Sequence, residues 1–296
     1  MAEEWAYEEA SDEEKLQIAQ RFLLASPPGQ IHEVLRDVAK LVPARVLPDA
    51  ALRGALHAYN VKNFLPVDVP DADYKIQDTL GLNILICEEG EVDAAHYVDP
   101  IGNRVLGFDH IKQQIVADDV AEIPEARVSE FEEERQEVQK TLQSYLQFEY
   151  MHGGTAGVYV VGTKIVVNLC TERINLRNFW GGRWKSRWEV DLTENPAKVK
   201  GSIQLHVHYF ENGNLQLQSS KEVEEEVAIQ RPNGLGDAIL RVMKEAEDDL
   251  QTNLEDMYIN MSEETFKEMR RVMPVTQTKM EWSLHAHRTA KDLGRK

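Results

Sequence analysis

The fold is decided by residues 157–229, which read GVYVVGTKIVVNLCTERINLRNFWGGRWKSRWEVDLTENPAKVKGSIQLHVHYFENGNLQLQSSKEVEEEVAI. Apolar and β-branched residues recur here with a period of two, which is typical of β-strands. We predict five strands, at residues 157–161, 164–171, 183–192, 198–210 and 214–229. Pairs of turn-forming residues separate them, at positions 162–163, 181–182, 195–196 and 212–213. Such short connections specify an antiparallel meander.

Two long amphipathic helices flank this sheet in the sequence. The first, over residues 125–150, contains no helix breaker and places its apolar residues on one side and its charges on the other. The second begins after Pro232 and carries an apolar stripe over residues 235–257. Because a sheet and a helix stripe must each cover an apolar face, we expect the second helix to lie across the sheet.

The N-terminal part predicts a hairpin of short helices. Ser11 and Glu14 have the spacing of a capping box, and the first helix, with Leu16, Ala19, Phe22 and Leu23 as its apolar residues, breaks at 27–29. We therefore predict an α+β protein with four parts. These are a helical stalk (1–66), a small irregular globule (67–124), a five-stranded antiparallel half-sheet covered by a long helix (125–274) and a C-terminal amphipathic tail (275–296).

Charge and composition exclude several classes of function. The net charge of −18 opposes a general affinity for nucleic acid or for anionic membranes. The two cysteines, Cys87 and Cys170, are isolated in the sequence, which excludes a disulfide framework or a thiolate zinc cluster. The first residues lack the pattern of a secretory signal, and no apolar run approaches membrane-spanning length. We expect a cytoplasmic protein.

Basic charge is concentrated at the C-terminal end. Residues 267–296 contain eight Lys/Arg and three Asp/Glu, a net charge of +5, which leaves −23 for the remainder of the chain. An ordinary solvated helix end is one interpretation of this excess. We favour the other, a docking site for an acidic partner.

Two clusters invite a chemical interpretation. His206 and His208 alternate on one predicted strand, so their imidazoles can share a metal ion, although we favour the simpler interpretation of a polar strand face covered by a helix. Trp180, Trp184 and Trp188 recur at even spacing, as in an aromatic sugar-binding platform or in a sheet–helix core. A metal- or sugar-binding protein is therefore the alternative hypothesis. The chain contains no nucleophile elbow or phosphate-binding loop, so nothing indicates an enzyme or a cofactor.

Three stretches resemble a known family, and they occur in that family's order. They are residues 178–188, NFWGGRWKSRW, residues 207–216, VHYFENGNLQ, and residues 266–282, FKEMRRVMPVTQTKMEW. All three are similar to F-actin capping protein alpha subunits, and weaker similarity extends the resemblance over almost the whole chain. The predicted order of helices and strands agrees with that family's fold.

The resemblance implies a binding protein without catalytic activity. Family members form a heterodimer with a beta subunit, cap the barbed end of the actin filament and so block subunit addition and loss. A related target is the actin-related filament of dynactin, and phosphoinositides are implied regulators. We expect a cytoplasmic, cytoskeletal location.

The resemblance also implies which residues contact actin. The family's basic contact positions fall on Lys267, Arg271 and Lys279, and Trp282 closes the same motif. Gln277 occupies a fourth position that is basic in the family. This departure implies a divergent member whose capping affinity and lipid regulation differ from the family pattern.

Overall fold

A computed structural model describes residues 10–69, 83–127, 129–211, 213–228 and 234–260. The chain divides into two compact units, Met1–Met243 and Lys244–Lys296. The first unit holds every strand of the described residues and almost all of the helices. Of the second unit, the described residues are the C-terminal part of one long helix.

Three helices form the N-terminal part, α1 (Asp12–Leu24), α2 (Ile31–Leu41) and α3 (Asp49–Lys62). The predicted capping box starts α1, since the Ser11 hydroxyl accepts from the Glu14 amide and the Glu14 carboxylate accepts from the Ser11 amide at 2.8 Å. The break after α1 uses Gly29, whose φ of +73° suits a residue without a side chain. The helices share a buried core of Leu23, Ile31, Ala55, Leu56 and Tyr59.

The next region is more regular than the predicted irregular globule. Strands β1 (Leu65–Asp68) and β2 (Asn83–Ile86) pair with each other. A four-stranded antiparallel sheet follows, made of β3 (Glu91–Asp93), β4 (His96–Asp99), β5 (Arg104–Asp109) and β6 (Gln114–Ala121). These strands are short, and β6 is almost entirely exposed, so their sequences carry little of the apolar alternation that identifies a strand.

The five-stranded sheet confirms the predicted antiparallel meander. Its strands are β7 (Thr155–Val161), β8 (Lys164–Asn175), β9 (Trp180–Asp191), β10 (Ala197–Tyr209) and β11 (Leu215–Val227). They lie in chain order, so each pairs only with its sequence neighbours and β7 and β11 form the two edges.

The predicted turn at 181–182 is wrong, because both glycines lie inside β9 and pair with β8 and β10. The chain instead reverses through a short 3₁₀ turn, Leu176–Asn178, followed by Phe179 with φ of +60°. Gly181 serves a close approach: a Cβ on it would lie 2.8 Å from the Pro28 carbonyl oxygen. Because Gly181 has no side chain, the segment between α1 and α2 can pack closely against the sheet.

The two long helices are α4 (Glu132–Glu149) and α5 (Leu235–Asn260). Helix α4 begins later than the predicted residue 125, after a 3₁₀ turn at Glu125–Arg127, and it packs against β7. The Gln139 side chain fixes that contact through the Ala156 carbonyl and the Val158 amide. The start of α5 meets α4, where the Glu137 carboxylate accepts from the Gly234 amide at 2.8 Å. No helix among the described residues has the length and apolar character that crossing a membrane requires.

Candidate functional site

The predicted actin-binding residues lie outside the described part of the chain, which ends at Asn260. These residues are Lys267, Arg271, Gln277, Lys279 and Trp282. Their role therefore remains a prediction. The described residues instead present three surfaces suited to a partner: an open strand edge, an apolar patch and an uncovered helix face.

The open edge belongs to β11. Along its 13 residues it pairs with β10, and no other described strand pairs with its opposite side. Val227 is its only buried residue. The other edge strand, β7, differs, because its residues Thr155–Tyr159 are buried. An uncovered edge presents unpaired backbone amides and carbonyls that another strand can bind.

Charge divides β11 into two halves. The second half carries Glu222, Glu224, Glu225 and Glu226, whereas the first half has no charged residue before Lys221. One of these carboxylates, Glu224, forms an ion pair with Lys200 at 3.6 Å, and both side chains are more than half exposed. Such an exposed pair contributes little stability. The acidic half discourages pairing with acidic strands and thus restricts which partners can bind.

An apolar patch lies at one end of this edge. Leu176, Phe179, Tyr209 and Leu215 are between 37% and 57% exposed. Tyr209 and Leu215 are opposite each other on neighbouring strands, and Leu176 and Phe179 lie in the turn that leads into β9, whose first residue is also opposite Tyr209. The Phe179 ring packs edge-on against Phe210 at 5.7 Å, which holds it in place. We call these four exposed residues the end patch; exposed apolar residues grouped at one end of a sheet are typical of a binding site.

Helix α1 also leaves apolar side chains uncovered. Ile18 and Phe22 are four residues apart on one helix face and are 48% and 59% exposed. The sequence placed Phe22 in the apolar set of this helix with Leu23, but only Leu23 of the two is buried. The sequence indicates this exposed apolar face only through Ile18, which lies outside the inward-facing stripe and widens the apolar surface of the helix.

Both histidines of the alternative hypothesis form hydrogen bonds with amide side chains. The His208 ring contacts the Gln30 amide nitrogen at 2.6 Å and the Asn214 amide oxygen at 3.1 Å. The His206 Nε2 lies 3.1 Å from the Gln216 amide oxygen, and burial lowers the pKa of His206. Within the part of the chain that the structure describes, no group of three His, Cys, Asp or Glu could hold a metal ion.

The tryptophans do not form an exposed platform. Trp188 is completely buried and lies over Gly201, where an added Cβ would be 2.1 Å from its ring. Trp184 is half-buried, while Trp180 lies beneath the Arg173 guanidinium at 6.0 Å. The arrangement favours the core interpretation of Trp188 over a sugar-binding surface.

Comparison with known proteins identifies what this fold resembles. Residues 19–292 match the family model described as F-actin capping protein alpha subunit. The F-actin-capping protein subunit alpha of Caenorhabditis elegans is 30% identical over 93% of this chain and 95% of its own length. Its counterpart in Dictyostelium discoideum is 31% identical over 92% of this chain and 95% of its own length.

A solved structure shows the same fold. It is the homodimeric actin capping protein alpha subunit from Plasmodium berghei, which superimposes with a TM-score of 0.71 and covers 88% of this chain and 97% of its own. The two sequences are 22% identical.

Proposed function

We propose that this chain, which belongs to the family of F-actin capping protein alpha subunits, caps the barbed end of actin filaments and blocks subunit addition and loss. The observation that carries the proposal is the extent of the family match, which runs from residue 19 to residue 292 and so includes the basic tail. A cap acts by occupying a surface, and we expect no enzymatic activity.

The proposed assembly is a heterodimer with a capping protein beta subunit. The open β11 edge, the end patch and the α1 face with Ile18 and Phe22 lie in the first compact unit and are uncovered there. A partner strand on β11 would extend the sheet and satisfy its free backbone groups. Apolar contacts at the end patch and α1 would add the hydrophobic part of the interface.

A second copy of this chain is the competing partner, and one observation favours it. The structural relative from Plasmodium berghei is described as homodimeric. Co-expression with a beta subunit, followed by mass measurement of the purified complex, separates the two assemblies. A complex with one copy of each chain supports the heterodimer; two copies of this chain in its place would overturn it.

We call residues 267–296, which carry the net charge of +5, the basic tail, and they supply the proposed contact with actin. Actin is acidic, so a segment of charge +5 on a body of charge −23 directs the protein to the filament end tail first. Lys267, Arg271 and Lys279 are the proposed cationic contacts, with Trp282 as the apolar one and Gln277 as an uncharged position among them. The same arrangement suits the actin-related filament of dynactin, and the tail cations are the proposed site for phosphoinositides. The proposed location is the cytoskeleton of the cytoplasm.

The test is removal of the tail. We expect deletion after Pro274 to abolish tight capping in a seeded actin elongation assay. The melting temperature of the complex should stay nearly unchanged, because residues 275–296 follow a proline, a residue that ends helices, and are expected to add little to the core. Charge reversal at Lys267 should weaken capping without unfolding the protein.

The matched control is Lys198→Glu, an equal change of charge at an exposed residue of β10. If Lys198→Glu and Lys267→Glu weaken capping equally, net charge rather than the tail determines binding. Full capping by the truncated protein would refute the tail assignment.

A further inference from the structure

A groove lies between the N-terminal helices and the sheet, separate from the tail. Its walls are the ends of α1 and α3 and the facing residues of β9, β10 and β11, and its volume is about 730 Å³. Five of its lining residues carry a cation or an imidazole: Arg21, Lys62, Arg183, Lys185 and His206. We call it the basic groove.

The basic groove has no carboxylate among its lining residues, although the chain contains 51 Asp and Glu in 296 residues. Arg183, at its base, is paired with Glu172, which lies in β8 outside the lining. Within the described ranges no carboxylate forms an ion pair with Arg21, Lys62 or Lys185. The groove therefore concentrates positive charge on a strongly acidic protein.

Lys185 is a partly buried cation with a second cation, Arg183, beside it. Its ammonium group donates to the Lys62 carbonyl and lies 5.0 Å from the Phe64 ring centre. Burial and the neighbouring Arg183 guanidinium lower the pKa of Lys185 to about 8. No carboxylate of the described residues pairs with this ammonium group, and an anion bound in the groove would provide a negatively charged partner.

The remaining lining is mostly neutral and polar. Gln204, Gln216, Gln218, Ser219 and Ser220 line the sheet side of the groove with amides and hydroxyls. The apolar lining is limited to Leu24, Ala25 and Leu205. A peptide ligand would need apolar pockets for its side chains, whereas a compact polyanion needs many hydrogen-bond donors and little apolar surface.

We propose that the basic groove binds a small soluble anion that carries several phosphate groups. Arginine and lysine are the usual donors to phosphate oxygens, and here they come from three separate elements that surround one space. The groove is also larger than a single phosphate group needs. This binding goes beyond the proposed capping function, because it uses none of the tail residues.

The first test measures binding to the purified full-length protein in its assembled form. Tripolyphosphate and inositol hexakisphosphate are titrated by calorimetry into the wild type and into Arg21→Gln/Lys62→Gln, which removes two exposed cations of the groove. We expect the dissociation constant of the double variant to rise at least about tenfold, since each charge-assisted contact is strong enough for such an effect.

Two variants control for nonspecific attraction. Lys140→Gln/Lys198→Gln removes the same charge from exposed residues that do not line the groove, and Lys267→Gln/Lys279→Gln removes it from the tail. We expect both variants to keep an affinity at the groove within about twofold of the wild type at 0.15 M salt, where unpaired surface charges are screened, even if the tail variant loses a separate, weaker site. An equal loss of affinity in all three variants would overturn the proposal.

The second test reports from inside the groove. Mass spectrometry follows acylation of Lys185 at pH 8, close to its lowered pKa, where part of its amine is unprotonated and reactive. Saturating tripolyphosphate should slow this labelling several-fold in the wild type and much less in Arg21→Gln/Lys62→Gln. Affinity should fall as the pH rises above about 8, because Lys185 then loses its proton.

Unchanged labelling of Lys185 at saturating ligand would place the anion elsewhere and refute the groove site. Vesicles that contain phosphoinositides form a separate arm. Protection of Lys185 by vesicles but not by the soluble anions would also refute it. The Arg21→Gln/Lys62→Gln variant should cap actin filaments as the wild type does, so failure of this proposal is distinguishable from failure of the capping function.

Discussion

Strands β8 and β11 belong to one sheet and have nearly equal lengths of 12 and 13 residues, yet their environments are opposite. Six consecutive residues of β8, from Ile165 to Cys170, are buried. In β11 only Val227 is buried. The difference shows that pairing within a sheet does not make a strand part of the core. Strand β8 is covered on both faces, whereas β11 is largely exposed, as expected of an edge strand that pairs with a partner chain.

The largest expected effect concerns β8, the buried strand of this comparison. Val167 of β8 is completely buried, so Val167→Asp places a carboxylate in an apolar environment. We expect a loss of more than about 4 kcal/mol in the free energy of unfolding, or no folded protein at all. Chemical denaturation of the purified complex measures it. A loss below about 1 kcal/mol would show that β8 is accessible to water, against its observed burial.

The same substitution in β11 should act on assembly instead of folding. Leu217 is half-buried on the open edge strand, so Leu217→Asp removes apolar contact area and adds to the negative charge of that strand. We expect the dissociation constant between the chain and its partner to rise at least about tenfold, with a change in monomer stability below about 1 kcal/mol.

Sedimentation velocity over a concentration series measures this dissociation. The control is Val161→Asp, the same kind of change at a half-exposed position at the end of β7. If Val161→Asp dissociates the complex and Leu217→Asp does not, the partner binds the β7 side and the contrast between the two strands has been misinterpreted.

The smallest expected effect separates partner binding on β11 from actin binding in the tail. Gln277→Arg restores a cation at the one uncharged residue among the predicted contact positions that are basic in the family. An exposed ion pair contributes about 0.2 to 1 kcal/mol, so we expect barbed-end affinity to rise about 1.5- to 5-fold, and more at low salt. Assembly with the partner should be unaffected.

Seeded elongation at two ionic strengths measures the change, with the melting temperature as a control for folding. Equal barbed-end dissociation constants at both salt concentrations would mean that Gln277 does not face actin.

The sheet was predictable from the sequence because its turns and its alternation agree. The exception is instructive: Gly181 and Gly182 resemble a turn, but the space for the Pro28 carbonyl explains Gly181 inside β9. Glycine occurs both in the turns of a sheet and inside strands that another backbone approaches closely, and only tertiary contacts distinguish the two cases. The small sheet of β3 to β6 was missed for a different reason, since its strands are short and partly exposed.

The candidate surfaces were less predictable than the sheet. The resemblance to capping protein alpha subunits indicates the tail, whose contacts with actin stay a prediction. Phe22 looks like a core residue in the sequence, and its exposure becomes apparent only when the helix is placed. The basic groove has no signature in the sequence, because Arg21, Lys62 and Lys185 are brought together by three different elements.

The contact of Arg183 with Glu172 and Tyr59 also has an evolutionary consequence. The guanidinium is 4% exposed, its carboxylate partner 13%, and it lies 3.5 Å from the Tyr59 hydroxyl of α3. Loss of one charge leaves the other buried and unpaired, a step that costs about 3–5 kcal/mol, whereas an apolar pair at both positions can be neutral. Substitutions at positions 172 and 183 are therefore expected to be tolerated only when both residues change together. Lineages that keep one of these charges are expected to keep both.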